Sequence, residues 1–312
     1  MKYVRLFQES WQILWRYKLL WAFGLLAALG GGGFNFNWRI GDLHPAIDLP
    51  LGSRALLSDF FRQIDPAAVV IAGVVLGSLM FMLLTFAEGG LISLVTTVRD
   101  QKPIDLRAGL SAANKNFLPL LVVRAVLALP LLIASGLAAQ SILPAFFALF
   151  TEPTGERLFN LGTIANITGG SGVLLVLSLL ITAIGVGAER AVVIEHKPAV
   201  AALGRGVQLF ARNSLAYMGI AMMFVIAGFI VGVAFALILA PFMFIFILPT
   251  VRQTDLSYVT FTTNLAGPIG AIAVFVGLLL GMLVAVLTST MWTLSFREWQ
   301  ESEQPFLGHV SA

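Results

Sequence analysis

Residues 67–98 read AAVVIAGVVLGSLMFMLLTFAEGGLISLVTTV, and this stretch decides the fold class. Ala67 to Ala87 carry no charge, and Glu88 is the first that appears. An α-helix rises ~1.5 Å per residue, so ~20 apolar residues cross a hydrocarbon core of ~30 Å. The stretch is therefore a membrane span with one acid in its second half. If the inner boundary falls near Val98, Glu88 lies about 15 Å deep; if it falls near Gly90, Glu88 is interfacial.

Runs of the same kind recur at 19–36, 117–149, 171–194, 214–249 and 266–296. The whole chain agrees: of 312 residues 58% are hydrophobic before 30 glycines are counted, and 11% are charged. A soluble domain is about a quarter charged. This composition excludes an ordinary soluble enzyme, a disordered chain and a nucleic-acid binder. There is no cysteine, so disulfides, thiolate metal sites and cysteine nucleophiles are excluded. The first run is short and ends in Gly30 to Gly33; the third and fifth are long enough to tilt, protrude or bend, with Pro144 and Pro241 as places to kink. Met1 to Lys18 is long, amphipathic and rich in tryptophan for a signal-peptide n-region, so the first helix is expected to be retained.

Six spans place both termini on one side, and the bases choose which. The N-terminal side carries Lys2, Arg5, Arg16 and Lys18, then Arg99, Lys102, Arg107 and Lys115 after span two. Arg190, Lys197, Arg205 and Arg212 follow after span four, and Arg297 lies in the tail. The other side carries Arg39, Arg54, Arg62, Arg157 and Arg252. Positive residues accumulate in cytoplasmic loops, so both termini are expected in the cytoplasm. Trp11, Trp15, Trp21, Trp292 and Trp299 fall near the inner headgroup layer on this reading, and Trp38 near the outer one.

The bases also mark an internal repeat. The segments Ser10–Leu19, Gly109–Leu118 and Gly206–Leu215 each begin with a small residue, place a base seventh (Arg16, Lys115, Arg212) and end in Leu. They stand about a hundred residues apart, and Lys-Pro precedes the second and third copies at Pro103 and Pro198. The simplest unit is one surface helix plus two spans, used three times over 1–98, 99–195 and 196–300, with 301–312 a polar tail. In the first copy Tyr3, Val4, Phe7, Trp11, Leu14 and Trp15 share one face, opposite Lys2, Arg5, Gln8, Gln12 and Arg16. A basic, aromatic-rich amphipathic helix lies in the headgroup plane, as an anchor or as a recruiter of anionic lipid or a partner.

Few charges approach the membrane interior: Glu88, Arg124, Glu189 and Arg190. A charge there is costly and marks a functional candidate by default. Spans two and three are consecutive and antiparallel, so Glu88 is expected to pair with Arg124, which would offset much of the cost of burying each. Ser178, Thr182, Gly185 and Glu189 share one helix face. Ser78, Thr85 and Glu88 continue the pattern in span two, and Gly277, Gly281 and Thr288 in span six. The even spans would then line one polar seam. It reads either as a substrate or proton path or as close packing, in which small and hydroxyl residues join membrane helices; the GxxxG pairs Gly73/Gly77, Gly228/Gly232 and Gly277/Gly281 favour packing.

Asn166-Ile167-Thr168 fits a glycosylation acceptor in an expected outer loop. Asp42, Asp48, Asp59 and Asp65, spaced irregularly in the loop 37–66, match no calcium loop. His44, His196 and His309 are scattered, and no nucleophile is paired with a base. No enzyme, cofactor, metal site or nucleic-acid partner is expected.

Three stretches carry a family likeness: Trp11-Gln-Ile-Leu-Trp15 with Leu20-Trp21; Glu189-Arg-Ala-Val-Val-Ile-Glu195-His-Lys-Pro198 leading to Gly204-Arg205-Gly206; and Trp292-Thr-Leu-Ser-Phe-Arg-Glu-Trp299. Through them the chain resembles bacterial six-span membrane proteins without assigned chemistry, including the YciC-like group and the membrane domain fused to some glycerophosphodiester phosphodiesterases. The resemblance implies a bacterial inner-membrane location and carries over no catalytic residue. The expected architecture is an all-α, polytopic bundle of six transmembrane helices with three cytoplasmic interfacial helices. The expected function is a non-enzymatic membrane module that interacts with lipids, envelope components or a partner protein, a second copy included; a transporter or channel for a small or lipidic substrate is the alternative.

Overall fold

The computed structural model describes residues 3–31, 66–151, 161–251 and 256–303. Among them are seven helices: α1 (Tyr3–Arg16), α2 (Leu19–Leu29), α3 (Pro66–Arg99), α4 (Leu106–Thr151), α5 (Leu161–Ile194), α6 (Ala199–Val251) and α7 (Leu256–Glu303). Hydrocarbon offers backbone groups no partner, so a chain of this composition satisfies them within helices. Five helices, α3 to α7, are long and apolar enough to cross a membrane, the pattern of a multi-pass membrane protein. The apolar α2 has 11 residues, about 16 Å of helix, and stops at Gly30 and Gly31, the latter at φ 97°. The rest of the expected first span, with Trp38, His44 and the loop acids, lies outside the described residues, as does His309.

Consecutive helices from α2 to α6 pack side by side. Helix α7 packs on α1, α2 and α3 far more than on its chain neighbour α6. Close contact concentrates at the end that holds α1 and the turns 100–105 and 195–198, here called proximal. Phe23 of α2 is the wedge: its ring lies against Gly90 of α3 and within 3.0 Å of where a Cβ on Gly109 of α4 would stand. Helices α5 and α6 meet through glycines too, for a Cβ on Gly187 would stand 3.1 Å from the Gly206 Cα. In the distal halves of the spans Ile71, Val74, Leu132, Ile133, Val173, Val225 and Phe229 are all exposed, the surface that acyl chains solvate. The GxxxG pairs Gly73/Gly77 and Gly228/Gly232 lie in this zone, and a Cβ on any of the four would meet nothing within 4 Å. Among the described residues they join no helices, whereas Gly277 and Gly281 are buried.

The two proximal turns share a design. Helix α3 ends with Gln101 at φ 57°, Gln101 N–H donating to Val98 O at 3.0 Å and Lys102 N–H to Thr97 O at 3.1 Å, a Schellman closure followed by Pro103. Helix α5 ends with His196 at φ 52° and a wider closure, Lys197 N–H to Ala191 O at 3.2 Å, followed by Pro198. The expected second and third interfacial helices are not separate. Nothing between Leu106 and Leu118 breaks α4, which runs straight into its span. Helix α6 also continues, across a kink at Asn213 (φ −121°, ψ 27°). Pro144 and Pro241 lie inside continuous helix, as does Asn166, which the sequence pattern placed in a loop.

These contacts make unequal demands on glycine. Gly206→Ala would drive a Cβ into the Ile184 carbonyl and to 3.0 Å from the Ala188 amide, both backbone. It is expected to cost about 1–3 kcal/mol. Gly228→Ala meets open space and is expected to be neutral or to stabilise by up to about 1 kcal/mol. Thermal unfolding in detergent separates the two.

Candidate functional site

At the proximal end three helices bring charge together and a fourth, α7, bonds to it. Arg124 on α4 donates from Nε to Glu189 Oε1 on α5 at 2.7 Å, with side chains 13% and 12% exposed. Arg190, next along α5, lies 3.6 Å from Glu189 Oε2. Its guanidinium donates to Val186 O at 3.1 Å and, more loosely, to Ser289 O of α7 at 3.4 Å. The Ser289 hydroxyl in turn donates to Glu88 Oε2 of α3 at 3.0 Å. Thr293 donates to the same Ser289 carbonyl at 2.7 Å, which fixes its direction. Two carboxylates and two guanidiniums thus form one formally neutral network across α3, α4, α5 and α7. Neutrality matters because an unpaired buried ion costs several kcal/mol.

The expected partner of Arg124 is corrected. Helices α3 and α4 do pack, but the close ion pair of Arg124 is with Glu189. Glu88 feels Arg124, Arg190 and Glu189 through space, and its hydrogen bond comes from Ser289. Rotation of α3 about its axis turns Glu88 toward α7. Thr85 is buried one turn away and donates back to Phe81 O at 2.7 Å. Ser78 and Thr182 are exposed in the distal zone, and Ser178 donates back to Leu175 O at 2.8 Å. Of the residues singled out in the sequence, the structure gathers Glu88, Arg124, Glu189 and Arg190 and leaves Ser78, Ser178 and Thr182 apart from them. Ser289 and Thr293 were missed; their i, i+4 spacing was the only mark they carried.

An aromatic group flanks the network. Tyr217 of α6 stacks on Trp299 at 4.7 Å between ring centroids and lies 5.2 Å from Trp292, which also meets Phe224 at 6.2 Å. Both tryptophans are buried in the core at the proximal end rather than facing outward. Trp11 and Trp15 are exposed and follow Phe7 in a ladder of ring contacts that ends on Trp21. The end of α7 fastens the turns: Arg297 reaches Asp100 at 2.6 Å, Gln300 donates to Glu195 at 2.8 Å and Glu301 accepts from Arg99 at 2.9 Å. Among the described residues no three His, Asp or Glu side chains gather as metal ligands.

Residues 1–299 match the family model of a domain of unknown function, DUF7847. The chain belongs to this family. No curated protein and no solved structure matches it.

Two outcomes follow from the charges. Glu189→Gln leaves two guanidiniums with one carboxylate and is expected to cost about 3–5 kcal/mol. Adding Arg124→Met should recover much of that loss, which a double-mutant cycle on unfolding in detergent measures. Glu195 responds to pH. Burial opposes its charge, but hydrogen bonds from Lys197 and Gln300 and the Arg205 guanidinium outweigh burial and hold its carboxyl below the ordinary range. A depressed folded value stabilises above the unfolded value of ~4.3 and is lost as pH falls through the folded one. Amide-exchange protection across 195–205, taken relative to the intrinsic rate at each pH, should therefore fall with acidification below that range, and Glu195→Gln should flatten the response.

Proposed function

We propose that this chain is a non-enzymatic inner-membrane module of six spans with both termini in the cytoplasm. Its proximal end engages phospholipid headgroups, envelope components or a partner protein. The observation that carries the reading is α1. It buries Leu6, Ser10, Ile13 and Leu14 against the bundle and presents Val4, Trp11 and Trp15 outward. A fixed helix with one face in the core and an aromatic face outward sits in a headgroup layer. The base-rich side of the chain is the same side, which supports a cytoplasmic orientation and an inner (plasma) membrane, and the likeness to bacterial proteins supports a bacterial one. In this reading α2 belongs to the sixth span.

A threefold repeat is part of the proposal, and local geometry supports it. The small leading residues Ser10, Gly109 and Gly206 are all buried, and the seventh-place bases Arg16, Lys115 and Arg212 are all exposed. In the eighth place Asn116 and Asn213 each donate from Nδ2 to the carbonyl four residues back, and Tyr17 stands at the break between α1 and α2.

A transporter is the second reading, favoured by the meeting of α3, α5 and α7 at Glu88, Glu189 and Ser289. Single cysteines at positions 78, 85, 178 and 182 test it, because the chain has none of its own. The module reading expects position 85 to resist a membrane-impermeant thiol reagent in every condition tested. Labelling of position 85 that a solute blocks would replace the module with a transporter. Labelling of position 5 only from the cytoplasmic face of sealed vesicles checks the orientation.

A further inference from the structure

Tyr217 of α6 packs through its ring, which stacks on Trp299 and meets Trp292 and Phe210. Its hydroxyl takes no part in those ring contacts. The residue is 2% exposed, and the hydroxyl has no hydrogen-bond partner among the described residues. Arg190 of α5 is also 2% exposed, and its Nε–H is unpartnered in the same way, although both of its Nη groups donate. Buried polar groups are rarely left unsatisfied, and an internal water with about two to four polar partners is the usual remedy. We propose that Arg190 Nε and the Tyr217 hydroxyl hold one water molecule between α5 and α6, which extends the charge network to α6.

The helices bring the two groups to one turn of α5. Side chains on a helix lean toward its N-terminus. Arg190 does so, since its Nη1 donates to Val186 O at 3.1 Å, and its guanidinium therefore lies over the turn 186–190. The Tyr217 hydroxyl reaches the same turn from α6, standing 3.0 Å from where a Cβ on Gly187 would be. Gly187 has no side chain to fill the corner between them. The Gly206 carbonyl of α6, 3.6 Å from the same Cβ position, offers an acceptor there, because a carbonyl oxygen has two lone pairs. Arg190 and Tyr217 also act on each other through space. Arg205, the other base that acts on Tyr217, donates to Glu195 and Gln208. Charge selects water over an ion. The two guanidiniums and two carboxylates already sum to zero, so an anion or a cation added here would be a buried charge without its opposite. Water can accept from the Arg190 Nε–H and from the Tyr217 hydroxyl, and can donate to the Gly206 carbonyl.

The inference concerns the interior of the bundle and does not depend on the membrane role proposed above. A crystal structure of the full chain, at a resolution that places single waters, tests it. A peak within hydrogen-bond distance of both Arg190 Nε and the Tyr217 hydroxyl is expected in the native chain and not in Tyr217→Phe. No peak, or a direct bond between the two side chains, would overturn the site. Native crystals soaked in bromide should show no anomalous signal there; a signal would replace the water with an anion. Unfolding in detergent gives a second readout. Tyr217→Phe keeps the ring and its stacking, so it should lower the midpoint through the hydroxyl alone. In an Arg190→Lys background, which keeps the charge and removes Nε, the same substitution should shift the midpoint much less. Equal shifts in the two backgrounds would overturn the link between the residues, and if Arg190→Lys does not fold, the density in the native chain decides.

Discussion

A charge in hydrocarbon needs an opposite charge, and the proximal end is arranged around that requirement. Arg124, Glu189, Arg190 and Glu88 come from three helices, and only their assembly yields a neutral set. Ser289 completes it twice over, its carbonyl turned to Arg190 and its hydroxyl to Glu88. The network therefore sets the relative depth and rotation of α3, α4, α5 and α7 together. Apolar contacts between membrane helices do not specify rotation so strictly, because lipid tails are as apolar as the side chains they replace.

Around this centre, glycine and aromatic residues supply the close fit. Phe23 fills the space that Gly90 and Gly109 leave, and Tyr217 fills the space beside Gly187, Trp292 and Trp299. The end of α7 then ties the two turns through Asp100 and Glu195. Individually, exposed ion pairs such as Arg99 with Glu301 contribute little. Their value here is positional: they hold the two turns against the end of α7. Among the described residues of the distal halves, the large apolar side chains face outward, toward lipid.

Much of this was legible in the sequence, because spans are a matter of composition and length. The five long helices and the few buried charges could be read directly. Partner choice could not: Glu88 and Glu189 are both acids on α-helices beside α4, and the rotation that gives Arg124 to Glu189 is a product of the whole bundle. The burial of Trp292 and Trp299 was hidden for a related reason, since tryptophan at the end of an apolar run marks a headgroup layer or a core equally well. The GxxxG pairs at Gly73 and Gly228 carried a packing signature that no helix among the described residues meets. The continuity of α4 and α6 was hidden because a basic, amphipathic stretch looks the same whether it stops at the membrane or enters it.

Helix α7 is the last of the seven and brings no member of the charged quartet, yet it supplies both groups of Ser289. Until it arrives, Glu88 lacks its hydroxyl donor and the Arg190 guanidinium lacks an acceptor from α7. The first six helices can be inserted one after another, but they are held as an unfinished polar assembly while the remaining chain is made. Completion thus falls to α7, which docks on α1, α2 and α3. The order of synthesis and the order of stabilisation run in opposite directions, so a chain interrupted before α7 would present a polar flaw that quality-control proteases of the membrane are suited to detect.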